Sequence, residues 1–575
     1  MGTISDKLMR IINTKEDIRQ ALISKGYDVP TSIPFKEYAK MILDLPCKAD
    51  SFPDIEGIVA RYSASGLTNE QMAENPVWVD KTGNGHDIQL KNFSWKGMSG
   101  VGGYVVDIDE WGTNSTAAYY ERNSIKITAT FKENASLGLL YHNIKLRQSC
   151  VLKVTGIPEG CDAFLDDRLG NRFYMSEDGV YEIIPSNFLA EALYLSIEKY
   201  PERWYESKLT IEQLPLYPGA LVFDGVDDYG VCDNFPILTK EKGYTVVALR
   251  QWISTGEGIS GLVSNAKNWF KDGAFVLEYS YTKNSYFNRP VSFGAIGSEK
   301  DLPHILTYQT SKSYNGVSIA VGSFIGADQL YVGKINNIIE NCTNAAIWEL
   351  VILDHDATEE ELTKIKDYFV KTYPWLFFDQ AWTVVGKTNE DEDRATIANI
   401  TGNGNNLVLS NFGFIEGSGY NEEGEHAGYL VTDGVDDMIT SSAFQMGKDF
   451  TIVGDWKFID NKKSGTGLVK GSSFYIYNTM IGLDLYINSG SVKNSLDGIK
   501  SINAACSDGR AYDRNWNEIL ANTGNVVGSG GTLEVSSSGG RFDRIAFKNL
   551  AIYPRILSKD ECIKAYNYLQ TLKSK

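Results

Sequence analysis

The chain opens on helical spacing. Ile4, Leu8, Ile11 and Ile12 recur at the three- and four-residue intervals that line up on one face of a helix. Thr14 stands three residues before Asp17, a capping pattern, and Ile18, Leu22 and Ile23 continue an apolar face until Gly26 stops it. Pro34 suits the first turn of a second helix; Phe35, Tyr38 and Ile42 share its inner face and Pro46 closes it. Helices this short are marginal alone. Their apolar faces meet either the rest of the same chain, as a folded-back hairpin, or a partner protein.

Beyond residue 50 the pattern changes and repeats. Residues 78–104 read WVDKTGNGHDIQLKNFSWKGMSGVGGY and residues 396–420 read TIANITGNGNNLVLSNFGFIEGSGY. Both hold a Thr-Gly-Asn-Gly turn followed by alternating apolar positions (Ile88 and Leu90; Leu407 and Leu409), the signature of a strand with one buried face. A second shared block is LVFDGVDDY at 221–229 and LVTDGVDDM at 430–438, each leading into an apolar strand (YTVVA from Tyr244, FTIVG from Phe450). A third pairs IWELVIL from Ile347 with FKNLAIY from Phe547, and each is followed by a hydroxyl residue placed to cap a short helix, Thr358 and Ser558. Three blocks in one order predict two diverged copies of one β module.

The copies differ in spacing. Thr82 and Asp224 are 142 residues apart, whereas Thr401 and Asp433 are 32 apart, so the first copy carries about 110 extra residues. Within them Ile125, Ile127, Ala129 and Phe131 alternate with polar residues, as do Leu209 and Ile211, which predicts a small β-sandwich inserted at 111–217. The expected organisation is a helical attachment segment over 1–50, a first sandwich from 51–110 plus 218–375, the insert, and a second sandwich over 376–575. The segment Tyr373-Pro-Trp-Leu-Phe-Phe is expected to lie buried between the copies.

Composition sharpens this in three ways. With 575 residues the chain exceeds one core, and 54 Gly against 15 Pro, with 12% aromatics, favours many strands and tight turns. A net charge of −18 argues against a nucleic-acid partner. No apolar run is long enough to span a membrane, and the first residues, MGTISDKLMRII, lack the continuous apolar core and cleavage site of a signal peptide, so folding in a cytoplasm is expected. The seven cysteines form no Cys-x-x-Cys pair and read as reduced core residues, with a Cys150–Cys161 hairpin bridge as the alternative.

The order of blocks, a T-G-N-G turn, a D-G-V-D-D turn and a late Ile/Leu-rich strand before a capped helix, resembles the laminin-G-like or concanavalin-like family. That resemblance covers most of 53–374 and 380–575 and implies tandem antiparallel jelly-roll sandwiches, a mainly β fold with a short N-terminal helical segment. The leader, NTKEDIRQALISKGYDVPTSIPFKEYAKMI, resembles a segment near the N-termini of fibre and other minor virion proteins of bacteriophages, especially those of gut bacteria. It covers roughly a twelfth of the chain and implies attachment to other virion proteins through residues 1–46.

Candidate chemistry is sparse. Asp224, Asp227 and Asp228, with Asp433, Asp436 and Asp437, offer hard oxygens, but calcium takes about six or more and one turn supplies three, so a turn-stabilising role is expected and no cofactor is implied. Asp107, Asp109 and Glu110 depart from the alternating carboxylates of glycosidases, since adjacent Asp109 and Glu110 point to opposite faces of a strand. His86, His142, His304, His355 and His426 are isolated, and the acidic run from Glu390 to Asp393 reads as a solvated loop. Trp111, Trp269 and Trp516 lie in polar, loop-like contexts and are the candidate sugar contacts, while Trp348 and Trp456 sit in strand patterns and read as core.

The expectation is therefore a structural component of a bacteriophage virion: a head or tail fibre, collar or spike-type appendage without catalytic activity, located in the virion after assembly in the host cytoplasm. Homo-oligomers are expected, trimers being common among such fibres although no coiled-coil heptads demand one, and host glycans are the expected ligands. A bacterial glycan-binding lectin or adhesin is the alternative, and would need a secretion signal. A glycoside hydrolase would need convergent carboxylates on one strand.

Overall fold

The computed structural model describes most of residues 52–574; residues 1–51 and stretches including 106–117, 132–143, 184–191, 200–206, 267–272, 290–294, 299–304, 319–326, 460–466, 488–494 and 521–529 lie outside the described residues. The expected N-terminal helices fall in that first stretch. The remainder is mainly β, built of antiparallel sheets, and the two copies correspond strand by strand.

In the first copy one eight-stranded sheet is centred on Thr245–Ser254 and Asn344–Leu353, flanked by Leu306–Thr310 on one side and by Leu221–Asp224 and Gly100–Val101 on the other. In the second copy Thr451–Phe458 and Ile545–Tyr553 take the centre, flanked by Ile502–Cys506 and by Tyr429–Val431 and Gly419–Asn421. In each, the copy's opening strand (Ile58–Ser63, Gln380–Thr383) also pairs with the late strand. The second sheets match too, from Val77–Trp78 and Thr396–Ile397 at one edge to Ala295–Ser298 and Ser495–Asp497 at the other. Two eight-stranded antiparallel sheets per copy form the tandem jelly rolls that the repeated blocks imply.

Each sandwich has its own core. Alternation puts Ile88 and Leu90 inside with Trp78, Trp252, Leu350 and Ile352, and puts Leu407 and Leu409 inside with Trp382, Trp456, Leu550 and Ile552. The central pair of strands is interrupted by a bulge at corresponding places, between Leu249 and Arg250 and between Asp455 and Trp456. One hydroxyl per copy ties the first central strand to the turn that follows the last: Thr245 Oγ1 donates to His355 O at 2.8 Å and accepts from Ala357 N at 2.7 Å, and Thr451 Oγ1 does the same with Arg555 O and Leu557 N at 2.8 and 2.9 Å. Helices Glu359–Thr372 and Lys559–Leu569 come next, the latter opened by a Ser558–Glu561 capping box.

The extra residues of the first copy make sheets of their own. Five strands run in the order Gly179–Ile183, Cys150–Thr155, Ser207–Gln213, Lys126–Phe131, Ala118–Arg122, and four in the order Arg172–Met175, Cys161–Asp166, Ala192–Lys199, Ile144–Lys145. On its return the chain bonds beside its point of departure: Leu216 N donates to Gly103 O at 2.9 Å and Tyr217 N to Gly102 O at 2.8 Å. Excursions whose ends meet leave the host sheet undisturbed. Cys150, Cys232, Cys342, Cys506 and Cys562 are all buried.

The joint between the copies is buried. Tyr373, Trp375 and Leu376 are almost inaccessible. Tyr373 Oη donates to Glu349 Oε1 of the first copy at 2.8 Å, and Tyr553 Oη of the second donates to Trp375 O at 2.9 Å. The ring of Trp348 meets that of Tyr568 edge-on, with centroids 6.1 Å apart.

Candidate functional site

The two acidic turns are built alike. In the first, Asp224 Oδ1 accepts from Val226 N at 2.8 Å, Asp228 Oδ2 accepts from Asp224 N at 3.0 Å, and Ser99 Oγ donates to Asp228 Oδ1 at 3.0 Å. In the second, Asp433 Oδ1 accepts from Val435 N at 2.7 Å, Asp437 Oδ2 from Asp433 N at 2.8 Å, and Ser418 Oγ donates to Asp437 Oδ1 at 3.1 Å. Gly225 and Gly434, at φ +78° and +74°, supply the left-handed residue that both turns need. Each trio brings one oxygen per residue within 4.8 Å of the others, the only such groups among the described residues.

A cation there would meet three carboxylates, one of them already bonded on both oxygens, against the six to eight oxygens calcium takes. Burial, reinforced by Asp224, pushes the Asp228 carboxyl up to about 7, and burial pushes Asp437 up to about 6. The hydrogen bonds from backbone to aspartate close each turn on itself.

The sugar-contact candidates separate. Trp111 and Trp269 lie outside the described residues, as do Asp107, Asp109 and Glu110. Trp348 and Trp456 are core, as their strand patterns predict. Trp516 lies in a turn, as its polar context predicts, but its side chain is buried, 1% exposed. Asp513 caps the turn by accepting from Asn515 N at 2.9 Å and Asn517 N at 2.8 Å, and Trp516 is thereby held at φ +62°. That conformation turns the ring inward, edge-on to Tyr566 with centroids 5.6 Å apart.

Inward of this turn lies a cavity of about 160 Å³. One wall comes from the inserted sheets, with Phe173, Tyr174 and Tyr181; the other comes from the second sandwich, with Asn503, Trp516 and Tyr566. Arg514 and Asn515 stand at the turn and complete the lining. Asn503 Nδ2 donates to Arg514 O at 3.4 Å, anchoring the turn on the neighbouring strand. Five aromatic rings with amides and a guanidinium form a mixed surface that can stack on one face of a ligand and hydrogen-bond its edge. Sequence reasoning missed every one of these residues except Trp516. The available signal was the Asp513–Asn517 spacing, which marks a side-chain-capped turn.

A second polar cluster is structural. Glu278 is fully buried between the sheets of the first sandwich, where it accepts from Arg250, from Trp252 Nε1 at 2.7 Å and from Tyr314 Oη at 2.7 Å. Burial alone would raise this carboxyl, but Arg250 and the hydrogen-bond donors outweigh it and hold it below the usual range.

The fold and the cavity define a class, a tandem jelly-roll protein with an aromatic pocket between its inserted sheets and its second sandwich. No protein-family model matches the chain, and no curated protein does. Similar solved structures include Trypanosoma rangeli sialidase in complex with sialic acid (10% identity, 80% of this chain and 84% of that one, TM-score 0.26). They also include a second T. rangeli sialidase structure (8%, 80% and 94%, TM-score 0.25) and the botulinum neurotoxin serotype D binding domain (11%, 60% and 89%, TM-score 0.23). The expectation of a chain without catalytic activity is corrected here, because enzymes stand among these similar structures. TM-scores near 0.25 carry no activity, ligand or site over to this chain.

Proposed function

We propose that this chain is a structural appendage of a bacteriophage particle whose sandwich array binds glycans of the host surface. The observation that carries the binding half is the pocket beside Trp516, where aromatic rings and polar side chains converge on a space for a small ligand. The appendage half is supported by the wording of residues 13–42. In this reading the leader attaches or oligomerises the chain and the two sandwiches project outward.

The test has two parts. Mass spectrometry of purified particles finds the chain as a virion component; abundance in the bacterial envelope with absence from particles would overturn the appendage reading in favour of a host adhesin. A glycan array probed with the full chain returns specific binders, and a blank array would overturn the glycan reading.

A further inference from the structure

The cavity between the inserted sheets and the second sandwich joins parts of the chain more than 300 positions apart around an empty space. Resting on the glycan reading above, we infer that this cavity is a site for a single terminal pyranose ring, gripped by both walls at once.

Size sets the first constraint. About 160 Å³ falls below the ~300–1,000 Å³ of sites that enclose drug-sized ligands, so the cavity accepts one ring and not an extended chain. Chemistry sets the second. The C–H face of a pyranose is apolar and stacks on Tyr174 and Tyr181, while its hydroxyls need amide and guanidinium partners at the edge, which Asn515 and Arg514 supply. A guanidinium has five N–H donors in a fork, so Arg514 serves a ligand as well as a protein acceptor.

The backbone explains how this wall of the cavity is built. A left-handed conformation costs an L-residue about 1–2 kcal/mol, and a bulky residue there is a genuine outlier. At the corresponding hairpin of the first copy, the turn between Ser313–Tyr314 and Val317–Ser318 is the compact Asn315-Gly316, at φ +44° and +78°, residue types that suit positive φ. The second copy instead has a longer turn with a tryptophan in the strained position, directed at the cavity. Trp95 and Phe414 also hold left-handed φ, at +56° and +51°, so the conformation at Trp516 fixes where the turn places its ring. The walls also touch: a Cβ on Gly179 of the insert would stand 3.0 Å from Asn515 Cβ, so the rim closes there. A ring bound inside therefore clamps the insert against the second sandwich.

Saturation-transfer NMR on the full chain tests this with methyl glycosides of glucose, galactose, N-acetylglucosamine and glucuronic acid as probes. The expected result is transfer to at least one glycoside. Tyr174→Ala on the insert wall and Arg514→Ala on the sandwich wall each raise its Kd about tenfold, the scale of one hydrogen bond or stacking contact. Tyr174 and Arg514 are both exposed, so each variant leaves the cores intact, and an unchanged melting midpoint verifies it. Transfer that persists undiminished in both variants overturns the site. So does transfer to no glycoside while the glycan array shows binders, since the ligand then enters elsewhere and the glycan reading stands. A blank array together with no transfer overturns both.

Discussion

The hydroxyl of Ser99 donates to Oδ1 of Asp228 at 3.0 Å across 129 positions of sequence. Ser418 makes the same bond to Asp437 at 3.1 Å across only 19. The insertion thus leaves the turn geometry of its host sandwich unchanged, because the inserted chain departs and returns side by side at Gly103 and Leu216.

This pair of carboxylates predicts a pH dependence. Both are raised above the ~3.9 of an unfolded aspartate, Asp228 to about 7 and Asp437 to about 6. Between roughly pH 4 and 7 the folded state then holds protons that the unfolded state releases. Their contribution to stability is complete below pH 4 and is lost as pH rises through 6 and 7. In thermal melts, the double variant Asp228→Asn, Asp437→Asn should lose the part of the midpoint gain between pH 8 and pH 5 that wild type owes to these groups. Identical pH profiles for the two proteins would count against the assignment.

The Glu278 cluster predicts a large, asymmetric cost. Glu278→Gln leaves the buried Arg250 guanidinium without its counter-charge, and breaking a buried pair in this way costs about 3–5 kcal/mol. Replacing both partners by apolar residues of similar volume should cost less than the single change, since no isolated charge remains. Urea denaturation of Glu278→Gln, Arg250→Met and Glu278→Leu, Arg250→Met measures the difference; equal midpoints for all three would show that the charge is not what matters.

At Trp516 two effects oppose each other. Trp516→Gly relieves about 1–2 kcal/mol of left-handed strain. It also removes a buried ring packed on Tyr566 and Tyr512, a truncation of the kind that costs about 3–5 kcal/mol. Packing wins, and chemical denaturation should show net destabilisation. A stabilised Trp516→Gly variant would mean that the ring contributes little to the fold.

Asn92 and Asn411 offer a cleaner backbone comparison. Each sits at φ +67° and donates its side-chain amide at 3.0 Å to the carbonyl of the second aspartate of the acidic turn, Asp227 or Asp436. Asn411→Gly loses only that exposed bond, about 0.5–1.5 kcal/mol, whereas Asn411→Ala loses it and adds about 1–2 kcal/mol of strain. Guanidinium-chloride midpoints should rank wild type above Gly and Gly above Ala, and a reversal of the last two would rule out the strain account.

Several features were legible in the chain because they are local. The D-G-V-D-D turn recurs with its hydrogen bonds intact, since a side chain capping its own turn needs only its immediate neighbours. Alternation at Ile88 and Leu90, and at Leu407 and Leu409, reported buried faces correctly because strand geometry imposes a period of two. The capped helix after Ser558 was marked by its Ser-x-x-Glu spacing. Arg250 and Glu278 went unnoticed: each interrupts an apolar strand, and nothing in either run says which distant charge will face it.

By itself the sequence determined that this protein has two copies of one β module, where its turns fall, and that the first copy carries an excursion of about 110 residues. Only the tertiary structure decided that Trp516 faces inward and that Tyr181 of the insert meets Asn503 and Tyr566 of the second sandwich around a cavity. The reason is physical. Turns and strand faces follow from interactions within a few residues, and leave a periodic trace. A pocket between elements hundreds of residues apart depends on how separately folded sheets pack, and its polar and aromatic neighbours in sequence look like those of an ordinary loop.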